Sequence, residues 1–177
     1  MRYKLRAWRR IAEETQASQI AEAALVLPIV FMLLFGIIWF GRAYNIYTTI
    51  TYAAREGAQV AAQPSCATCG NASQTVSDVA ARVTQVLRAS HIDPGQISTY
   101  TPVPAPVPGS CGALATNTDP SGVRLYSHVQ LNPGSVGPMA CGVVVSFRYP
   151  FQFHFPFASL NNQLIYLHAD VQMEVEN

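Results

Sequence analysis

Residues 23–41 read AALVLPIVFMLLFGIIWFG, nineteen positions without a charged side chain. At about 1.5 Å of rise per helical residue this run covers the roughly 30 Å of hydrocarbon in a bilayer. A cleaved signal peptide would also follow a basic stretch, but its apolar core runs to only about 7–15 residues, and GRAYNIYTT at 41–49 offers no A-x-A cleavage site. The stretch is read as a retained anchor in membrane lipid. Five of the eleven basic residues (Arg2, Lys4, Arg6, Arg9, Arg10) precede it and only Arg42 stands close behind. The positive-inside bias then keeps the N-terminus in the cytoplasm and sends the remainder outside.

Working outward gives three parts: a basic cytoplasmic segment 1–19, a transmembrane helix 20–41 and an extracytoplasmic domain 42–177. The net charge of +1 hides this division, because 42–177 carries six basic against seven acidic residues. The bulk of the chain therefore has no basic footprint for nucleic acid. Beyond the membrane the helical period continues through Ile46, Ile50, Ala53, Ala54, Gly57, Ala58 and Ala61. This predicts one helix over about 20–62, kinked at Pro28, which removes a donor and crowds the carbonyl of Ala24. The later part of its stripe is small, so it lies against a sheet or against helices of neighbouring subunits, or is simply a covered core helix.

A second helix is predicted from about Ser73, capped by Ser73 or Asn71, with Val76, Val79, Ala80, Val83, Val86 and Leu87 as its apolar stripe. HIDPG at 91–95 stops it. From Gln96 the period switches to two. A short strand around 97–101 leads into the proline segment TPVPAPVPG at 101–109, which cannot sit inside a sheet. Leu125, Val129 and Leu131 alternate with polar neighbours; so do Val143, Val145, Phe147 and Tyr149, and again Ile165, Leu167, Ala169, Val171, Met173 and Val175. Such strands keep one face in a core and one in water. The fold expected is α+β: a long N-terminal helix, a second helix and an antiparallel sheet of three or four strands.

Cys66, Cys69, Cys111 and Cys141 suit an oxidising compartment, and four cysteines allow three pairings that spacing alone does not separate. The expected pairs are Cys66–Cys69, close in sequence, and Cys111–Cys141, bracketing a loop between strands. CATC at 66–69 has the CxxC spacing of redox and zinc motifs. It follows a helix instead of opening one, however, and has no second close pair to complete a zinc site. His91, His128, His154 and His168 lack metal-ligand spacing. No GxSxG, Walker A, GxGxxG or HExxH occurs. The chain is read as a non-enzyme with no metal and no cofactor. YPFQFHFPF at 149–157 is either the buried end of a hairpin or an apolar patch for a partner.

SQIAEAALVLPIVFMLLFGIIWFGRAYNIYTTITYAAREGAQVAA, at 18–62, resembles the TadE-like pseudopilins of tight-adherence (Flp type) pilus systems. The resemblance is carried by Glu22 opening the apolar run, Pro28 within it, Gly41 and Arg42 closing it, and AAREGA at 53–58. It is weaker over VVVSFRYPFQF and LIYLHADVQMEVE. It implies a minor, pilin-like structural subunit of the bacterial inner membrane. Its implied partners are other pilins or pseudopilins, the pilus assembly platform and a prepilin-type peptidase cutting between Ala17 and Ser18. Ala17 stands where the family usually has glycine. The resemblance also implies that Glu22 pairs in the membrane with a neighbouring subunit's α-amine, whereas the residues alone allow a boundary acid favoured by the helix dipole. Arg55, Glu56 and Gly57 are either a helix contact motif, with Gly57 allowing close approach, or a polar edge beside an Ala-rich contact stripe. A membrane-tethered binding module, and a tethered thiol oxidoreductase using Cys66 and Cys69, are the competing functions.

Overall fold

The structure is a computed structural model and describes residues 2–63, 74–134, 139–153 and 164–175, with side chains from Gln19 onward. The chain divides into two compact units, Met1–Arg42 and Ala43–Asn177.

In the first unit the described residues are helical. Helix α1 spans Arg2–Ala62, so it begins well before the expected start near Ile20 and includes the basic stretch. It continues through Pro28. The large apolar side chains of 20–40 other than Trp39 are exposed, among them Met32 at 79% and Phe40 at 75%. A helix that is apolar all round and unburied is a membrane-spanning one or is covered by partners. The described part, Gln19–Ala62, is long and apolar enough to cross a membrane.

In the second unit, 43–62 of α1 and helix α2 (Val76–Ala89) pack on an antiparallel sheet of four strands in the order β1-β2-β3-β4. The strands are β1 (Ala115–Thr118), β2 (Arg124–Gln130), β3 (Cys141–Gln152) and β4 (Leu164–Glu174). The α+β architecture read from the sequence is thus the architecture found. One cluster holds the helices to the sheet: Ile50, Ala53, Ala54 and Ala58 of α1, Val79, Val83 and Leu87 of α2, and Val143, Val145 and Phe147 of β3.

Helix α2 starts differently from the expectation. Thr75 is its N-cap, accepting from the Asp78 amide while the Asp78 carboxylate accepts from the Thr75 amide, both at 3.3 Å. This reciprocal box satisfies two orphan donors at once, which a lone cap at Asn71 or Ser73 would not; those two residues lie outside the described ones. At the other end His91 takes the left-handed conformation (φ 60°), and Ile92 donates to the Leu87 carbonyl at 2.9 Å. That closes the helix as a Schellman motif with histidine where glycine is usual.

The sheet departs from simple alternation in two places. Between Tyr126 and Val129 the β2–β3 register shifts by one residue, with His128 at φ 62°. A bulge moves every later side chain to the opposite face. Leu125 therefore joins the helix-side core while Val129 packs with Tyr126 and Val144 on the back. The second departure is that the back of β3 is not in water: Val144 and Ser146 are fully buried. The Ser146 hydroxyl donates to the Tyr100 carbonyl (2.9 Å), and Arg148 exchanges backbone hydrogen bonds with Ser98. The strand expected at 97–101 is reduced to that single bridge, with a 3-10 turn, Pro94–Gln96, ahead of it. The proline segment lies outside the strands, as its missing donors require, and meets β2 at both ends of that strand: Arg124 Nη1 donates to the Thr101 hydroxyl at 2.6 Å and the Gln130 amide to the Val107 carbonyl at 2.9 Å. The short polar strand β1 was not anticipated.

Candidate functional site

Each unit holds one group of side chains that the sequence singles out. In the first, Glu22 is an exposed carboxylate on α1 with no charged side chain from there to Arg42. Nineteen residues of helix lie between the two, a rise of about 30 Å, the thickness of bilayer hydrocarbon. The Arg42 guanidinium lies over the Trp39 ring at 5.5 Å. Arginine and tryptophan so placed suit a lipid–water boundary, where a ring with one polar edge and a long cationic side chain both satisfy their two ends. Pro28 sits within the same helix. Ala17 and Ser18 are also helical, ahead of the residues whose side chains are described.

In the second unit, the consecutive residues Arg55, Glu56 and Gly57 leave α1 about 100° apart and so meet three different surroundings. Gly57 faces α2 and β3. A Cβ there would stand 2.7 Å from Val83 Cγ2, 3.3 Å from Val79 Cγ1 and 3.7 Å from Val145 Cγ1, so only glycine allows this approach. Glu56 accepts from Arg82 of α2, at 2.6 Å from Nη2 and 3.2 Å from Nε. The Arg82 hydrogen bonds, and then one from the Tyr52 hydroxyl a turn earlier, hold the Glu56 carboxyl below its usual range. The same carboxylate raises the Tyr52 phenol, first as hydrogen-bond acceptor and then by its charge. Arg55 is exposed and lines an open concavity of about 530 Å³ with Thr51 and Gln59 of α1 and 170–173 of β4.

The stripe of small residues is thus used within the domain. Ala53, Ala54, Gly57, Ala58 and Ala61 are buried in its own core, which leaves that face of 43–62 closed to helices of other subunits. The Glu56–Arg82 pair was not read from the sequence. Its signal was there: each charge flanks an apolar stripe, and the two signs are opposite.

Cys111 and Cys141 form a disulfide across 30 residues of sequence. It encloses β1 and β2 together, not a single loop, and so ties the segment covering the back of the sheet to the start of β3. Cys66 and Cys69 lie outside the described residues. So do His154 and the end of the aromatic run; Tyr149 and Phe151 are buried, and Phe151 meets Phe153 edge to face at 4.8 Å. Of the other histidines, His168 stacks on Tyr100 with centroids 4.1 Å apart. No cluster of three His, Cys, Asp or Glu side chains with metal-binding proximity is present among the described residues.

Fold and side chains together define a class: a chain with, among the described residues, one helix able to cross a membrane and a disulfide-tied α+β domain of helices on an antiparallel sheet. Over 17–59 the sequence matches the family model described as TadE-like protein, so this helix, from the candidate cut to the far side of AAREGA, is a TadE-like segment. The sheet lies outside the matched residues. Neither a curated protein nor a solved structure matches the chain.

Proposed function

We propose that this protein is a minor pseudopilin-like structural subunit that serves assembly of a tight-adherence (Flp type) pilus or its export machinery. The observation that carries the reading is the coincidence of the TadE-like match with the apolar helix: 17–59 takes in Glu22, Pro28, the whole uncharged run and the Arg55–Gly57 motif. The family match over 17–59 supports a role in tight-adherence pilus systems. On this reading α1 spans the bacterial inner membrane with its basic end in the cytoplasm, and the sheet domain stands outside. Its work is mechanical and needs no reacting group: it presents Glu22 within the bilayer to other pilins and a rigid domain to the assembly platform. Glu22 fits such a role because a carboxylate at the edge of hydrocarbon gains from a cationic partner. A neighbour's α-amine, freed by a cut between Ala17 and Ser18, would be one.

Deleting the coding sequence and counting pili by electron microscopy tests the proposal. Pili should be lost or sharply reduced, and an intact copy supplied in trans should restore them. Unchanged pilus number and length in the deletion strain would refute it.

A further inference from the structure

Strand β4 ends the sheet, and its eleven residues pair with β3 without a break in register. The ladder's phase follows from one bond just beyond it, the Val175 amide to the Cys141 carbonyl at 3.1 Å. In an antiparallel pair such doubly bonded positions recur at every second residue. Odd-numbered residues of β4 therefore point N–H and C=O at β3, and Tyr166, His168, Asp170, Gln172 and Glu174 point theirs away from the sheet. Among the described residues no strand meets that outer row. Of the usual protections the edge carries charge, at Asp170 and Glu174, but it has no proline, no lysine and no bulge. Leu164, Ile165 and Tyr166 are 40–50% exposed on it.

A second observation concerns what lies beside this edge. The concavity of about 530 Å³ runs between 170–173 of β4 and Thr51, Arg55 and Gln59 of α1. Its floor is helix and its wall is strand edge, the space a further strand of the sheet would fill. Arg55 supplies a cation there, and no ion pair joins it to Asp170 across the concavity.

We infer that the outer edge of β4 accepts an extended segment of a different polypeptide, which adds as a fifth strand and places a carboxylate against Arg55. Main-chain hydrogen bonds supply the affinity and the Arg55 shelf the selectivity, as in other cases of strand addition. A second copy of this chain is the poorer occupant. A second β4 paired antiparallel keeps its faces, so it turns its apolar row, Leu167, Ala169, Val171, Met173 and Val175, to the helix side of the sheet and offers Arg55 no carboxylate. Strand β1 of a second copy has only four residues to set against eleven. The inference rests on membrane anchoring in the proposed function, not on the pilus role.

The test uses the full chain in its native membrane with a photoreactive benzoylphenylalanine at Tyr166. We expect a crosslinked adduct whose partner peptide, mapped by mass spectrometry, is an extended segment of another protein. Gln172→Pro removes an outward N–H and leaves the β3 ladder intact, so it should cut adduct yield at least tenfold, while Gln172→Ala should leave it unchanged. Arg55→Glu, on an exposed side chain, should cut the yield severalfold and decides the matter should the proline variant fail to fold. Amide exchange supplies an independent readout: Asp170 and Gln172 should exchange rapidly in the detergent-purified chain and slowly in the membrane. The inference is overturned by an adduct to a second copy of this chain, by yields indifferent to both Gln172→Pro and Arg55→Glu, or by equal exchange in the two preparations.

Discussion

Gly57→Ala is the smallest change that tests how the two helices and the sheet are joined. Its Cβ would lie 2.7 Å from Val83 Cγ2 and 3.3 Å from Val79 Cγ1, against about 3.5–4.0 Å for carbon atoms in favourable contact. Both neighbours are β-branched and stiff, so α2 itself must retreat by about 1 Å. Overpacking of this kind costs roughly 1–3 kcal/mol. Alanine returns about 1 kcal/mol through helix propensity, leaving a net loss of about 0–2 kcal/mol. Gly57→Val sets more bulk against the same wall and regains less propensity, so its loss should exceed about 2 kcal/mol. The sign is sharpest in a cycle with Val83→Ala. That change alone costs about 1.5–3 kcal/mol of apolar burial, yet it removes the clashing methyl. In its background Gly57→Ala should become neutral or stabilising by up to about 1 kcal/mol. Urea unfolding of the full chain in micelles, followed by near-ultraviolet circular dichroism, measures all four corners. If Gly57→Ala stabilises the parent by about 1 kcal/mol, as propensity alone would have it, the close approach of α1 to α2 is wrong.

Three further outcomes are expected. Cys111→Ser should destabilise the domain by about 3–4 kcal/mol, the loop-closure value for some 30 residues, and non-reducing peptide mapping of the parent should recover Cys111 joined to Cys141; free thiols there would refute the bond. Glu56 has a lowered folded pKa, so its contribution is complete above the ordinary carboxylate range and is lost as pH falls through the folded value. Tyr52 is shifted upward, so its contribution holds below the ordinary phenol value near 10 and is lost as pH rises through the raised one. Melting temperatures across pH should show both limbs, and Glu56→Gln should flatten both; an unaltered profile would count against the cluster. Glu22→Gln should leave the chain inserted and folded but reduce subunit crosslinking in native membranes. Interhelical polar contacts of about 0.6–2 kcal/mol set a ceiling near thirtyfold, and an unchanged yield would leave Glu22 a solvated boundary acid.

Local period and composition carried much of this architecture in plain view. The uncharged run 23–41, the α2 stripe and the alternation of β3 and β4 each report a single burial environment repeated over many residues. What was hidden depends on contacts between distant segments. Period two predicts a wet back face for β3, and nothing near Val144 or Ser146 announces that 98–114 will cover it. One extra residue at 127–128 separates Leu125 from Val129, although their spacing matches a regular strand. The cap at Thr75 was misplaced by a few residues because Asn71, Ser73 and Thr75 are all competent caps, and only Asp78 three positions on selects among them. In the candidate site, Gly57 was legible as a close-approach residue, but its neighbour was not. Glu56 and Arg82 are 26 residues apart and meet only because α2 folds back on α1.

Topology is the most direct measurement of the central claim, a membrane-anchored subunit with its disulfide-tied domain outside the cytoplasm. A pair of reporters fused in turn after Asn177, alkaline phosphatase and green fluorescent protein, reads the compartment of the C-terminus, and alkaline carbonate reads the anchor. The account predicts phosphatase activity, no fluorescence and a protein that stays in the carbonate-resistant membrane pellet. A fluorescent fusion without phosphatase activity, or release of the chain by carbonate, would contradict it.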